Sequence, residues 1–281
     1  MIKIGERIAI YYYRAKFRIL STVSKKKTAE IALDLFSTPQ FRYKRLFPKI
    51  FEESERLSFT IGGETVQGYR WNKGGTKRVL IAHGFNSSVA VFGHYIRPLI
   101  DKGYEVLAFD APAHGRSTGK QINILLYKEM ILFINKTYGP VQSFMGHSFG
   151  GLALSLALEE IPGNQNLRLA LIAPATESLT AINFFFSFMG LNGEVRKEFD
   201  QRIYSIQHLP SEWYSVSRAV KNLKAEILWC HDVNDPMTPW KDAEKVKEQN
   251  YPNIKFIVTH GLGHRGIYKD EKIAKAIIEF L

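Results

Sequence analysis

Of the 281 residues only Cys230 is a cysteine, which excludes a disulfide within the chain. It lies in the apolar run "AEILWC", where a buried, inert thiol is the expectation. A reducing, cytoplasmic setting fits that usage, with attachment to a membrane surface as the variant. No stretch approaches about 18 uninterrupted apolar residues, so no spanning helix is expected. Lys3, Glu6, Arg7, Arg14, Lys16 and Arg18 interrupt the first twenty residues, and a secretory leader is not expected there. Internal repeats and low-complexity tracts are absent. Neither a zinc-finger spacing nor an RNP-type aromatic motif occurs, so no specific nucleic-acid partner is expected. Acid is the scarcer charge, with 27 Asp and Glu against 38 Lys and Arg, a net +11. That balance attracts anionic surfaces without requiring a dedicated site.

What is present has two textures. Residues 1–55 read as a basic, helical extension. On a helical wheel Lys3, Arg7, Arg14 and Arg18 form one stripe, flanked by Ile4, Ile8, Tyr11, Ala15 and Ile19, with Ile10, Tyr13, Phe17 and Leu20 on another side. So apolar a helix must cover something: the body of the chain, a partner or a lipid interface. From about residue 56 the pattern changes. "LSFTIGG" and "TVQGYRW" predict a hairpin turning at Gly62-Gly63. Six nearly continuous apolar runs follow: "RVLIAHG", "EVLAFDA", "VQSFMGH", "RLALIAPA", "AEILWCHD" and "IKFIVTHG". Helical stretches lie between them at about 88–102, 122–138, 149–160, 239–248 and 270–281. Such alternation predicts an α/β fold with a mostly parallel, doubly wound sheet covered by helices on both faces. Residues 175–222 are too long for a loop between two strands and read as an inserted helical cap over the sheet edge within a 56–281 domain.

In such sheets the reactive groups gather beyond the carboxyl ends of the strands. After "RVLIA" comes His83-Gly84-Phe85-Asn86; after "EVLAF", Asp110 through Ser117. Gly146-His147-Ser148-Phe149-Gly150 follows "VQSFM", His231 through Asp235 follows "EILWC", and Gly261-Leu262-Gly263-His264 closes "FIVTH". A serine, an acid and a histidine therefore stand at three strand ends, in that order. This Gly-x-Ser-x-Gly turn, the chain order and the other turns together resemble the α/β-hydrolase fold family, from about residue 56 to the C-terminus.

The resemblance implies Ser148 as nucleophile, His264 as its base and Asp235 as the group that orients the imidazole. It implies an oxyanion hole from the backbone N–H groups of Phe85 and Phe149. Asp235 has a rival in Asp232, which takes the Gly place of the family's His-Gly-x-x-Asp-x-x-x-Pro pattern. Ser148 could alternatively be a mere helix N-cap. His147, His83, Asp110 and His114 read as bracing residues. His260 and His264 share an i,i+4 spacing, but two glycines separate them and no Glu follows His260, so neither a metal nor a cofactor is expected. In the insertion, Phe184, Phe185, Phe188, Met189 and Trp213 are candidates for an acyl pocket or for plain core. The implied activity is hydrolysis of an ester or thioester of a small acyl substrate, with a lipid-like one as the variant, through an acyl-enzyme. An acyltransferase using the same residues and a non-catalytic binding protein are the alternatives. The basic N-terminal region adds a possible partner in an anionic membrane surface.

Overall fold

The computed structural model of the protein describes residues 4–43 and 46–281, without the side chains of residues 4–6 and 207. Lys3, and the side chain of Ile4, thus lie outside the described residues. In chain order the elements begin with α1 (Ile4–Val23), α2 (Lys25–Ser37), β1 (Glu55–Ile61), β2 (Glu64–Trp71), β3 (Lys77–Ala82), α3 (Gly93–Asp101), β4 (Tyr104–Asp110), α4 (Ile124–Tyr138), β5 (Ser143–His147) and α5 (Phe149–Leu158). They continue with β6 (Arg168–Ile172), α6 (Ser178–Met189), α7 (Gly193–Gln207), α8 (Val216–Ala219), β7 (Glu226–Asp232), α9 (Trp240–Lys247), β8 (Ile254–Thr259), α10 (Gly263–Gly266) and α11 (Glu271–Phe280). Two compact units result: Met1–Thr38 with Glu177–Tyr214, and Pro39–Thr176 with Ser215–Leu281.

The larger unit is built on one eight-stranded sheet of order β1-β2-β4-β3-β5-β6-β7-β8. From β4 to β8 every pairing is parallel; β1 and β2 are antiparallel to each other, as are β2 and β4. The hairpin turns at Gly62 (φ 56°) and Gly63 (φ 78°), two left-handed positions that glycine accepts without a Cβ penalty. All of β4 and β5 is buried, as strands covered on both faces must be. No helix among the described residues is long and apolar enough to cross a membrane.

The units do not follow the expected boundaries at 55 and at 175 and 222. The described residues of 39–55 belong with the sheet unit rather than with a helical extension. Helix α2 stops at Ser37, and Pro39 and Pro48 oppose its continuation. Phe51 is buried in the core with Tyr69 and Trp71, Tyr43, Phe47 and Ile50 pack against that core, and Trp71 Nε1–H donates to the Ile50 carbonyl at 2.7 Å. At the other boundary Val216, Ala219 and Val220 are buried in the sheet unit, and the Val216 N–H donates to the Thr176 carbonyl at 2.8 Å.

In the smaller unit, Phe17, Ala29, Ala32, Ile182, Phe186, Met189, Val195 and Phe199 form a separate core, with Phe185 and Phe36 packed against it. On α6, positions 182, 185, 186 and 189 fall on one helical face. Of the two readings open for them, pocket or core, Met189 is buried in this core and Phe185 packs against it. Phe184 and Phe188 face the other way, exposed, with rings stacked at 5.9 Å. Trp213 is half-buried with its ring edge-on to Tyr214.

Candidate active site

Strand β5 runs into α5 through a single sharp residue. Ser148 has φ 53° and ψ −119°, a sparsely populated conformation that costs on the order of 1–3 kcal/mol and persists only where the surroundings enforce it. They do so through the Ser148 N–H, which donates to the Ile172 carbonyl, and through the Ser148 carbonyl, which accepts from Gly151, Leu152 and Ala175. The flanking glycines are sterically required. A Cβ on Gly146 would sit 2.9 Å from the Gly151 backbone, and one on Gly150 would sit 2.6 Å from the carbonyl oxygens of Ala82 and His83. Ser148 occupies the N-cap position of α5, yet its side chain makes no capping hydrogen bond. The hydroxyl is not spent on helix termination.

The two candidate acids have separate partners. Asp235 Oδ2 accepts from His264 Nδ1–H at 2.7 Å and from the Thr238 hydroxyl at 2.7 Å, while Oδ1 accepts from the N–H groups of Met237 and Thr238. Burial alone would raise its pKa, but the hydrogen bonds from His264 and Thr238 outweigh that and hold it at about 2. Asp232 instead accepts from Asn234 N–H, the Thr259 hydroxyl and Leu262 N–H. It ties down the loop that carries His264 without touching the imidazole. With Nδ1–H committed to Asp235, the lone pair of His264 is on Nε2.

His147 connects this pair to the serine turn. Its Nε2–H donates to the backbone carbonyl of His264 at 2.9 Å, and the two rings lie 4.6 Å apart. Burial pushes the His147 pKa down to about 3, so the ring is neutral. No hydrogen bond joins Ser148 Oγ to His264 among the described residues; such contacts often tighten only when substrate is bound.

The turn after β3 lies beside the serine. A Cβ on Gly84 would come within 3.0 Å of Ser148 Cβ, and the rings of Phe85 and Phe149 meet edge to face at 5.7 Å. This turn is braced by neutral histidines. His83 donates from Nδ1 to the Gly84 carbonyl and accepts the Ala111 N–H at Nε2; His114 donates to the Pro112 carbonyl and accepts the Asn86 N–H. Burial depresses their pKa values to about 4 and about 3. Asp110 accepts from the Ser88 hydroxyl and from the N–H groups of Val89 and Arg116, tying its own turn to the segment that follows β3.

Two contributors escape a reading of the sequence. Thr238 buttresses Asp235; its only signal is the Asp-x-x-Thr spacing of a side-chain-closed turn. Asn86 (φ 54°) accepts the backbone N–H groups of Gln40 and Phe41 at its Oδ1, a contact 46 residues distant that no local pattern announces.

Residues 75–236 match the family described as "Serine aminopeptidase, S33". That span takes in Ser148 and Asp235 and ends before His264. Over 107 residues the chain is 30% identical to an uncharacterized hydrolase, YugF, of Bacillus subtilis (strain 168), covering 36% of this chain. The match spans about 39% of that curated relative's length. Among solved structures, the Pyrococcus furiosus esterase Pf2001 superposes with a TM-score of 0.64 at 24% identity, covering 87% of this chain and 95% of that one. Est1E of Butyrivibrio proteoclasticus, solved with ferulic acid bound, gives 0.63 at 21% identity over 80% of this chain and 97% of that one. At these identities the likeness is one of fold, that of the α/β hydrolases.

Proposed function

Since the chain belongs to the serine aminopeptidase S33 family of α/β hydrolases, we propose that it hydrolyses carboxylic esters or thioesters of small acyl substrates through a Ser148–His264–Asp235 triad. The observation that carries this reading is the 2.7 Å hydrogen bond between His264 Nδ1 and Asp235 Oδ2, on a loop whose backbone is held by the residue preceding Ser148.

In this reading Ser148 Oγ attacks the acyl carbon while its proton passes to His264 Nε2. Asp235 stabilises the imidazolium that forms and keeps the ring in the useful tautomer. The tetrahedral oxyanion accepts hydrogen bonds from the N–H groups of Phe85 and Phe149. Each such donor is worth roughly 10²–10³ in turnover, and the N-terminal end of α5 adds favourable potential. His264 then protonates the departing alcohol or thiol. A water molecule, deprotonated by His264, attacks the ester of Ser148; the acid is released and the serine regains its proton.

The test is a chain-length series of p-nitrophenyl esters, run with acyl-CoA thioesters and an aminoacyl p-nitroanilide, on wild type and Ser148→Ala. Ester or thioester turnover that falls about 10⁴–10⁶-fold in the variant supports the reading. Fluorophosphonate labelling of wild type but not of the variant supports it too. A variant that keeps most of the activity removes Ser148 as nucleophile. Turnover confined to the anilide assigns the enzyme to peptide bonds instead.

A further inference from the structure

Helix α1 is apolar on two sides, and only one of them is used. Its inner side sends Phe17 into the core of the small unit, with Tyr13 packed against that core. The outer side is open. Ile8 is 64% exposed, Tyr12 60% and Ile19 70%, and Tyr11 and Val23 are exposed with them. At 100° per residue these five side chains fall within a stripe about 120° wide. Arg7, Arg14 and Arg18 run along one edge of the stripe and Lys16 along the other, where its ammonium lies 5.8 Å from the Tyr12 ring. From Arg7 to Ala29 the chain has no acidic residue.

We infer that the outer face of α1 is a docking surface for an anionic phospholipid bilayer, with the helix lying in the plane of the interface. The chemistry matches on both counts. Exposed isoleucine and valine gain by leaving water for the acyl boundary, and tyrosine suits the headgroup level with an apolar ring and a polar tip. Arginine and lysine at the edges reach outward to phosphates while their stems cover apolar surface. A second copy of the chain fits less well, because apposed α1 faces would bring like charges together with no acid in either stripe. Nucleic acid would satisfy the cationic edges but leave the apolar centre unused.

Flotation of the full chain with vesicles tests this. Phosphatidylcholine vesicles with and without phosphatidylglycerol are compared in low and high salt. Binding is expected on the anionic vesicles, weakening as salt shortens the screening length from about 10 Å at 0.1 M to about 3 Å at 1 M. Arg14→Glu with Arg18→Glu should lower the partition at least twentyfold, at about fivefold for each basic residue near an anionic surface. Ile8→Ser with Ile19→Ser should lower it about tenfold or more, since apolar burial is lost. All four positions are exposed, and circular dichroism confirms that each variant folds. Three results overturn the inference: no flotation with anionic vesicles, flotation indifferent to the isoleucine pair, or a dimer in sedimentation that the isoleucine pair dissolves.

Discussion

The two units treat their large apolar side chains in opposite ways. Among the described residues, every exposed large apolar side chain except Phe41, Leu46 and Met237 lies in the small helical unit. The sheet unit buries such groups on both faces of its strands and ties the strand-end residues His83, Asp110, His114, Asp232 and Asp235 into hydrogen bonds. The difference follows from size and layering. A sheet sandwiched by helices has a deep interior where buried polar groups find partners, whereas four helices around a few phenylalanines have little interior to offer. Rigidity at the strand ends is what an oriented acid–base pair needs. Spare apolar surface is what an interface needs.

Substitutions on either side of this divide sharpen it. The largest effect is expected from Asp235→Asn, which leaves the shape intact but orients His264 wrongly; kcat for the best ester should fall about 10⁴-fold while thermal stability changes far less. Phe199→Ala should destabilise the small unit by about 3–5 kcal/mol through the cavity it leaves. Hydrogen exchange would then show faster exchange in α2 and α7 with the amides of β3 to β6 unchanged; loss of protection in the sheet as well would mean that the two units unfold together. Asp235 also makes the sheet unit acid-sensitive. Its pKa is lowered from 3.8 to about 2 on folding, so its contribution is present above about pH 4 and is lost as pH falls through about 2. That amounts to about 2 kcal/mol, and denaturant titrations between pH 5 and 2 should show it in wild type and not in Asp235→Asn.

A smaller effect is expected at His147. Replacing it by Leu leaves the His264 carbonyl without its donor, and kcat should fall about tenfold. His147→Gln, which restores an N–H at similar reach, should recover most of it with KM unchanged. A Gln variant as impaired as Leu would mean that ring packing, not the hydrogen bond, positions the loop. The smallest change should be at Ile19→Ser, within about 0.5 kcal/mol in stability, because that side chain touches little of its own unit.

Much of the sheet and of the candidate triad was legible because each rests on local chemistry. Short β-branched runs punctuated by glycine announce buried parallel strands. A serine framed by Gly146 and Gly150 announces a backbone crossing too tight for side chains. The packing of Tyr43, Phe47 and Phe51 was not legible, since these aromatic residues read equally well as part of a helical extension until Tyr69 and Trp71, distant along the chain, supply the core they fill. The roles of Phe185 and Met189 were hidden for a related reason: on an apolar helix, composition says that something is covered but not which face does the covering.

Residue order alone settled the parallel α/β architecture, the Gly62-Gly63 hairpin and the steric demand for glycine around Ser148, because those depend on neighbours within a few residues. Only the folded chain decided that Asp235 rather than Asp232 meets His264, that Thr238 and His147 hold that pair in place, and which side of α1 faces water. Those outcomes depend on hydrogen bonds and packing between segments far apart in sequence, and their direction is set once the strands have brought the segments together.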